Sequence, residues 1–362
     1  MSFIIYPMGL WAIFLLVLPV LYIIVLKLHP VPSREPEIDY TPQITVIVPA
    51  HNEADHIPRK LEQLFEQFYP SDKIEIVVVD DGSTDQTLSI LESYKSKVNV
   101  ISFKTPRGKI AALNQGLNES HSEIVVITDA DTELEKQSIR ELVRPFQDAG
   151  IGAVSGRLRI RGEGKSARYE RAYVESEHTF RENESLLSSV PFLFGQLSAF
   201  RRKVLPQINS MAAVDDIEMA LVIQERGYRV ISAPEAIVYE EAPASLRQLF
   251  HQKRRRGACT IEVVLRHLEI IRPRNGWFAL TFLVRRVLPF FLPVLLLLEA
   301  LFLILTLGAY WAAVLLATLF LISWLKNRNF TEYMAIIQFI VVFSWLDYLR
   351  GNISKGANWK QQ

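Results

Sequence analysis

Residues 44–50 (ITVIVPA) form a β-branched run closed by proline, the pattern of a buried strand. Residues 57–68 carry apolar positions at helical spacing. The strand pattern returns at 74–83 (IEIVVVDDGS), 98–103 (VNVISF) and 123–131 (EIVVITDAD), with helix patterns between them at 84–94 and 109–118. Strands alternating with helices predict an α/β fold, a mostly parallel sheet with helices on both faces. Ligands of such sheets sit outside the carboxyl ends of the strands. The polar clusters HNE, DDGSTD and DAD all fall at those ends. Further on, residues 214–230 predict an amphipathic helix opened by Asp215, Asp216 and Glu218 and stopped at Gly227.

The two ends of the chain lack this alternation. Residues 3–28 are apolar with no charge before Lys27, and a membrane helix needs about 20 such residues. No basic segment precedes the run and no small-residue cleavage site follows it, so a signal peptide fits poorly. Lys27, His29 and Arg34 follow, which puts the N-terminus outside and the main domain in the cytoplasm. Residues 287–307, 311–325 and 334–349 predict further spans. Lys326 and Arg328 ask for one loop inside, and Arg350, Lys355 and Lys360 ask the same of the tail. Both demands cannot hold if every segment crosses, so one segment is interfacial or re-entrant and the side of the C-terminus stays open. Residues 272–286 mix basic side chains with Trp277 and Phe278, which suits a helix on the lipid surface. The expected organisation is a span and linker at 1–42, a cytoplasmic α/β domain at 43–265, an interfacial segment at 266–286, and spans and tail at 287–362, in the plasma membrane.

Composition agrees with a soluble domain carrying membrane segments. The 362 residues are 49% hydrophobic, and the mean hydropathy of +0.15 is high for a soluble protein. Nearly all of the 39 acidic and 40 basic residues lie between Lys27 and Arg286. The net charge of +1 gives no reason to invoke nucleic acid. The single cysteine, Cys259, excludes an intrachain disulfide and a cysteine metal cluster, and fits a reduced, cytosol-facing domain.

Four clusters carry candidate chemistry, each with a bland alternative. Asp80 and Asp81 end an apolar strand before Gly82, while Ser83, Thr84 or Asp85 cap the next helix. Asp129 and Asp131, two apart on an extended strand end, point to one side. They are either a solvated strand end or ligands of a hard cation such as Mg²⁺ or Mn²⁺, whose shell substrate phosphates complete. Asp215, Asp216 and Glu218 favour the helix dipole, and three acids in four positions also suit a general base. The basic run at 253–256 (KRRR) suits anionic lipid headgroups or a diphosphate leaving group. Taken together, acids for a metal, an acid for a base and cations for phosphate make one reaction: displacement at a sugar carbon with a nucleoside diphosphate leaving.

The order PAHNE, VDDGSTD, GKIAALN, DAD, FGQLSAFRR, VDDIEMAL and QKRRR resembles the membrane-bound family 2 glycosyltransferases. These include hyaluronan, cellulose and poly-N-acetylglucosamine synthases and ceramide glucosyltransferase. The likeness covers residues 44–257. It implies a GT-A fold, a Rossmann-like nucleotide half joined to an acceptor half and flanked by transmembrane helices. It implies His51 and Glu53 at the base, Asp81 at the nucleoside with Asp80 in support, and Lys109 near the donor phosphates. Asp129 and Asp131 would bind the ribose side and a Mg²⁺ or Mn²⁺ ion. Asp216 would be the general base, with Asp215 where the family has Glu. Gln252 and Arg255 match Q-x-x-R-W, with Arg255 near the diphosphate, and residues 195–199, Gly195 and Gln196 first, would line the acceptor side. Arg256 replaces the Trp of that motif, which puts processive polymerisation in doubt and favours a lipid or short glycan acceptor.

The expected partners are therefore a nucleotide-diphosphate sugar (a UDP-sugar first), a lipid-linked or glycan acceptor, membrane lipids, and a second copy of the chain in a homo-oligomer. Two rival readings stand beside an inverting glycosyltransferase of this kind. A non-catalytic sugar-nucleotide-binding protein would have lost the base or metal acids, and here both are present. A nucleotidyltransferase would need a phosphate loop, and residues 105–114 hold a Gly-Lys pair without the spacing of one.

Overall fold

The structure is a computed structural model that describes residues 17–26, 28, 40–209, 215–307 and 328–351. The span predicted at 311–325, most of that at 3–28, and the residues Lys27, His29, Arg34, Lys326, Lys355 and Lys360 lie outside the described residues. The chain divides into two compact units. A sheet unit comprises Pro32–Gly162, Glu177–Ala242 and Ile353–Gln362, and a helical unit comprises Met1–Val31, Glu163–Ser176 and Pro243–Asn352.

The sheet unit opens with β1 (Ile44–Ala50), α2 (Ile57–Phe65), β2 (Ile74–Asp80), α3 (Thr87–Glu92), β3 (Asn99–Ser102), α4 (Lys109–Glu119) and β4 (Ile124–Thr128); the label α1 is kept for the short apolar helix Val17–Leu26 of the helical unit. These seven elements sit where the apolar periodicity puts them. The helix expected at 84–94 starts later, because Ser83, Thr84 and Asp85 are taken up by a loop. Strands β1, β2, β3 and β4 pair in parallel, with Ala50 opposite Asp80 and Ile47 opposite Ile127. Each of β1 and β4 is buried along its whole length, which is why their sequences are unbroken apolar runs rather than alternating ones.

The rest of the sheet departs from the expected mostly parallel arrangement. β5 (Glu133–Leu134), α5 (Ser138–Val143), β6 (Ile151–Arg161), α6 (Gly164–Leu187), β7 (Leu197–Arg201), α7 (Asp215–Glu225) and β8 (Arg229–Glu241) follow. The eight strands run in the order β3-β2-β1-β4-β7-β6-β8-β5. β7 is antiparallel to both β4 and β6, β5 is antiparallel to β8, and β6 and β8 are parallel. The sheet is therefore mixed, and β7 carries the chain back beside β4 against the direction of the first half. Ile47, Leu113, Leu117, Val125, Phe200 and Ile223 belong to the apolar cluster that joins the sheet to α4 and α7. Arg201, at the end of β7, is buried and donates to the carbonyls of Ile151, Phe146 and Asp148 at 2.9, 2.6 and 3.1 Å and to Glu123. It fixes the amino ends of β4 and β6, so the first arginine of FRR is structural.

The helical unit adds α8 (Leu246–Arg266), α9 (Gly276–Phe282), α10 (Leu288–Leu307) and α11 (Arg328–Leu349). Two stretches in it, Pro273–Leu305 and Thr331–Leu349, are long and apolar enough to cross a membrane.

Candidate active site

The loops after β1 and β2 are stitched to each other. Asn52, in the left-handed region at φ 55°, accepts from Thr84 N at 2.8 Å and receives Ser83 Oγ on its own N–H at 2.9 Å. Glu53 N donates to Thr87 Oγ1 at 2.8 Å, and Ala54 N to Asp85 at 3.2 Å. The Asp85 carboxylate also takes Thr87 N at 2.9 Å, so it does turn the chain into α3. His51 Nδ1 lies 2.8 Å from the Asp81 carbonyl, and Glu53 pairs with His56 at 2.8 Å. His51 and Glu53 thus stand on one loop held from both flanks.

Asp80 and Asp81 are both buried, and each has a visible structural task. Asp80 accepts from Ser83 N at 3.3 Å, from Ser83 Oγ, and from Ser102 Oγ at 2.9 Å. Asp81 accepts from the backbone N–H groups of Arg107 and Gly108, each at 2.7 Å. That pair anchors the turn that starts α4 and so fixes where Lys109 emerges. Gly82, the next residue, sits at φ +66°, and a Cβ there would lie 2.8 Å from the Thr105 carbonyl carbon. Two consecutive acids after a buried strand are explained by this loop-to-loop anchoring as well as by ligand contact.

The acids at the carboxyl ends of β4 and at the start of α7 meet through Lys109. Its Nζ lies 2.7 Å from Asp129 Oδ1 and 3.7 Å from Asp215 Oδ2. Burial works against the lysine charge, but Asp129, Asp215 and Asp216 outweigh it and hold the ammonium well above its ordinary pKa. Asp216 is 7% exposed. A Cβ on Gly195 would stand 3.8 Å from Asp216 Oδ2 and 3.9 Å from Lys109 Nζ, ordinary contact distances, so this backbone lies directly against the carboxylate and the ammonium. Gln196 next to it donates to Glu240 at 2.7 Å, and its Oε1 is buried with no hydrogen-bond partner among the described residues. His51, Glu53, Asp80, Asp81, Lys109, Asp129, Asp131, Gly195, Gln196, Asp215 and Asp216 all belong to the sheet unit; Gln252 and Arg255 stand on α8 in the helical unit.

No group of three or more acidic, histidine or cysteine side chains that could hold a metal occurs among the described residues. Asp129 and Asp131 alone fit an ion of the Mg²⁺ or Mn²⁺ kind, which takes one or two carboxylates and leaves the remaining positions to water and substrate phosphate. The contact of the Lys109 ammonium with Asp129 shows that this carboxylate already attracts a cation.

Lys60 is the residue that the sequence reading passed over. It is 1% exposed and lies on α2 beneath the DAD turn. Its Nζ donates to Thr128 Oγ1 at 3.2 Å and to Thr132 Oγ1 at 2.9 Å. Those hydroxyls pass the bonds on to the Gln196 and Asp129 carbonyls, each at 2.9 Å. One amine therefore ties the acidic turn to the turn of Gly195 and Gln196 that leads into β7. Burial drives its pKa from 10.5 down to about 7, although Asp129, Asp131, Glu133 and Glu53 all favour the charge. The signal was present: Ile57, Lys60, Leu61 and Leu64 are the buried positions of α2, so a lysine occupies a core position of an apolar stripe.

Comparison with known proteins accords with this geometry. Residues 45–208 match the glycosyl transferase family 2 model. The chain is 28% identical over 254 residues to "Probable glycosyltransferase YdaM" of Bacillus subtilis (strain 168), covering 66% of this chain and 60% of that one. It is 28% identical over 248 residues to the poly-beta-1,6-N-acetyl-D-glucosamine synthase of Staphylococcus aureus (strain MSSA476), covering 65% and 59%. It thus spans about 60% of the length of these curated relatives. Among solved structures, the mannosyltransferase PcManGT of Pyrobaculum calidifontis, in complex with GDP-Man and Mn²⁺, superposes with a TM-score of 0.75 at 28% identity, over 94% of this chain and 99% of that one. The fold is of the GT-A kind, with a mixed sheet.

Proposed function

Residues 45–208 are a glycosyl transferase family 2 domain, and on that premise we propose that the chain is a membrane-bound, inverting glycosyltransferase that uses a nucleotide-diphosphate sugar. The observation that carries this reading is the set of charges around Lys109: Asp129 and Asp215 pair with one ammonium, Asp216 adds its charge from nearby, and Gly195 lies against the Asp216 carboxylate. Asp216 takes the proton of an acceptor hydroxyl. The oxygen attacks the anomeric carbon, the bond from that carbon to the phosphate oxygen breaks, and the nucleoside diphosphate departs on the opposite face. Lys109 leaves Asp129 for the departing diphosphate, the charge whose stabilisation dominates such transfers. His51 and Glu53 hold the base, and Asp81 keeps the turn that aims Lys109. A Mg²⁺ or Mn²⁺ ion held by Asp129 and Asp131 would supply further positive charge to the diphosphate.

Arg256, in the place of the motif tryptophan, supports a lipid or short glycan acceptor. The polymer made by the staphylococcal relative supports processive synthesis instead, and product size distinguishes the two. The test is purified protein in lipid with Mn²⁺ and a panel of UDP- and GDP-sugars, assayed for nucleotide release and product length. Asp216→Asn is expected to lower turnover about 10²- to 10⁴-fold, the usual contribution of a general base, with donor binding by calorimetry retained. Turnover close to that of the wild type would remove Asp216 from the role of base, and donor binding with no release by the wild type would leave a sugar-nucleotide-binding protein.

A further inference from the structure

α11 has the length and composition of a membrane span, with a mean hydropathy of 1.3 against 2.6 for Pro273–Leu305. Within the helical unit, however, its start is fastened to α6 and its end to α8. Near its start, Tyr169 OH donates to Glu332 at 2.5 Å and Tyr333 OH donates to Glu170 at 3.2 Å. Glu170 is in turn held by Lys253 of α8 at 2.9 Å. Near its end, the Arg254 fork grips Asp347 at 2.5 and 2.6 Å. Ser344 Oγ donates to the Arg254 carbonyl at 3.1 Å. A Cβ on Gly257 would lie 2.3 Å from that Ser344 Oγ, so the glycine is what lets α8 and α11 approach. From Tyr333 to Asp347 is about 21 Å of helix at 1.5 Å per residue, against a hydrocarbon core of about 30 Å.

α8 is a poor neighbour for a helix inside the bilayer. It exposes Arg247, His251, Arg255, Arg256 and Arg266, and charged side chains in the hydrocarbon core are expensive. A crossing α11 would draw Lys253 and Arg254, with these neighbours, into lipid. The contacts with α10 agree. Trp345 Nε1 donates to the Phe290 carbonyl at 3.0 Å and its ring lies 5.6 Å from that of Phe291. The end of α11 therefore meets the first turn of α10. The opposite face of α11 exposes Phe339, Val342, Leu346 and Leu349, at the spacing of one helical stripe.

We propose that α11 lies in the membrane interface and does not cross the bilayer. Its exposed apolar stripe is turned into the boundary between headgroups and acyl chains, and the face that carries Tyr333 and Ser344 is held on α6 and α8. The proposal rests on the membrane-bound reading above. The partner is a lipid surface: an apolar stripe carried beside the basic face of α8 matches acyl chains beneath anionic headgroups. It also removes the conflict in the charge pattern. A helix that stays in the interface keeps both of its ends on one side, as the positive-inside rule asks of the basic residues that flank it in sequence.

The test uses the full chain in vesicles of mixed zwitterionic and anionic lipid, in a Cys259→Ala background. Single cysteines at Phe339→Cys and Leu297→Cys carry an environment-sensitive fluorophore, and lipids bear spin labels either near the headgroup or near the chain end. Phe339 should be quenched more by the shallow label and Leu297, in the middle of α10, more by the deep one. An impermeant maleimide should reach Gly351→Cys and Arg266→Cys from the same side. Stronger deep quenching at Phe339, or labelling of Gly351→Cys from the side opposite Arg266→Cys, overturns the proposal. Quenching at Leu297 with none at Phe339 also overturns it, because the stripe is then covered by protein such as a second copy. Absence of quenching at both positions refutes the membrane-bound reading itself.

Discussion

Replacing Lys60 with methionine separates the electrostatic from the packing role of this buried amine. The folded pKa is about 7 against 10.5 for an unconstrained lysine. At about 1.4 kcal/mol per unit, burying the charged form costs about 5 kcal/mol. The sign follows from proton binding. Between pH 7 and 10.5 the unfolded chain holds a proton that the folded chain has released, so stability rises with pH across that window; below it both states are protonated and the full cost is present. From pH 7 to 9 the wild type should therefore gain roughly 2 kcal/mol relative to Lys60→Met. Methionine leaves no orphan, because the Thr128 and Thr132 hydroxyls keep their carbonyl acceptors. The variant should thus be at least as stable as the wild type at pH 7, and its margin should shrink by roughly 2 kcal/mol by pH 9. No tryptophan lies between residues 43 and 242, so unfolding in detergent is followed by far-ultraviolet circular dichroism against denaturant at both pH values. Parallel stability curves for the two proteins would refute the account of Lys60 as a desolvated amine.

Three other outcomes test the site and its frame. Lys109→Met should lower turnover about 10²- to 10³-fold, the scale for removing one preorganised donor to a developing charge, measured as nucleotide release at saturating donor. Asp81→Asn gives up a charged acceptor of two backbone N–H groups; bonds to charged groups are worth about 1.5–3 kcal/mol, and faster hydrogen exchange at Arg107 and Gly108 should report the loosened turn. Gly116→Ala would place a Cβ 2.6 Å from Ile47 Cγ2; over-packing of this kind costs about 1–3 kcal/mol, and adding Ile47→Val should recover part of it.

The apolar C-terminal part changes meaning once contacts are known. By composition, residues 334–349 resemble the other apolar segments, because hydropathy counts side chains without asking what each one touches. Glu332 and Asp347 look like isolated charges at the ends of a span. Their bonds to Tyr169 and Arg254 make them the fastenings of an amphipathic helix to its neighbours.

The first half of the sheet unit is legible because its signals are local. An unbroken apolar run such as residues 44–50 can bury both faces only inside a sheet, and helical spacing between such runs forces parallel crossovers. The polar clusters then fall at one end of the sheet by connectivity alone. The second half is not legible in this way. β6, β7 and β8 pair across long sequence separations, and β7 reverses direction because of what lies beside it in space, which no window of sequence contains. The same division holds within the site. Asp129, Asp215, Asp216 and Lys109 are visible as residue types, but only the folded chain brings residues of β4, α4 and α7 around one ammonium. Asp81 reads as a ligand-facing acid until the N–H groups of Arg107 and Gly108 give it a structural task. Lys60 reads as one polar position among many until burial makes it the node between the acidic turn and Gln196. The sequence determines which groups are present and which elements carry them, since those depend on side-chain chemistry and periodicity. The tertiary structure alone decides which groups share an environment, since charge, desolvation and hydrogen bonding depend on distances between residues far apart in the chain.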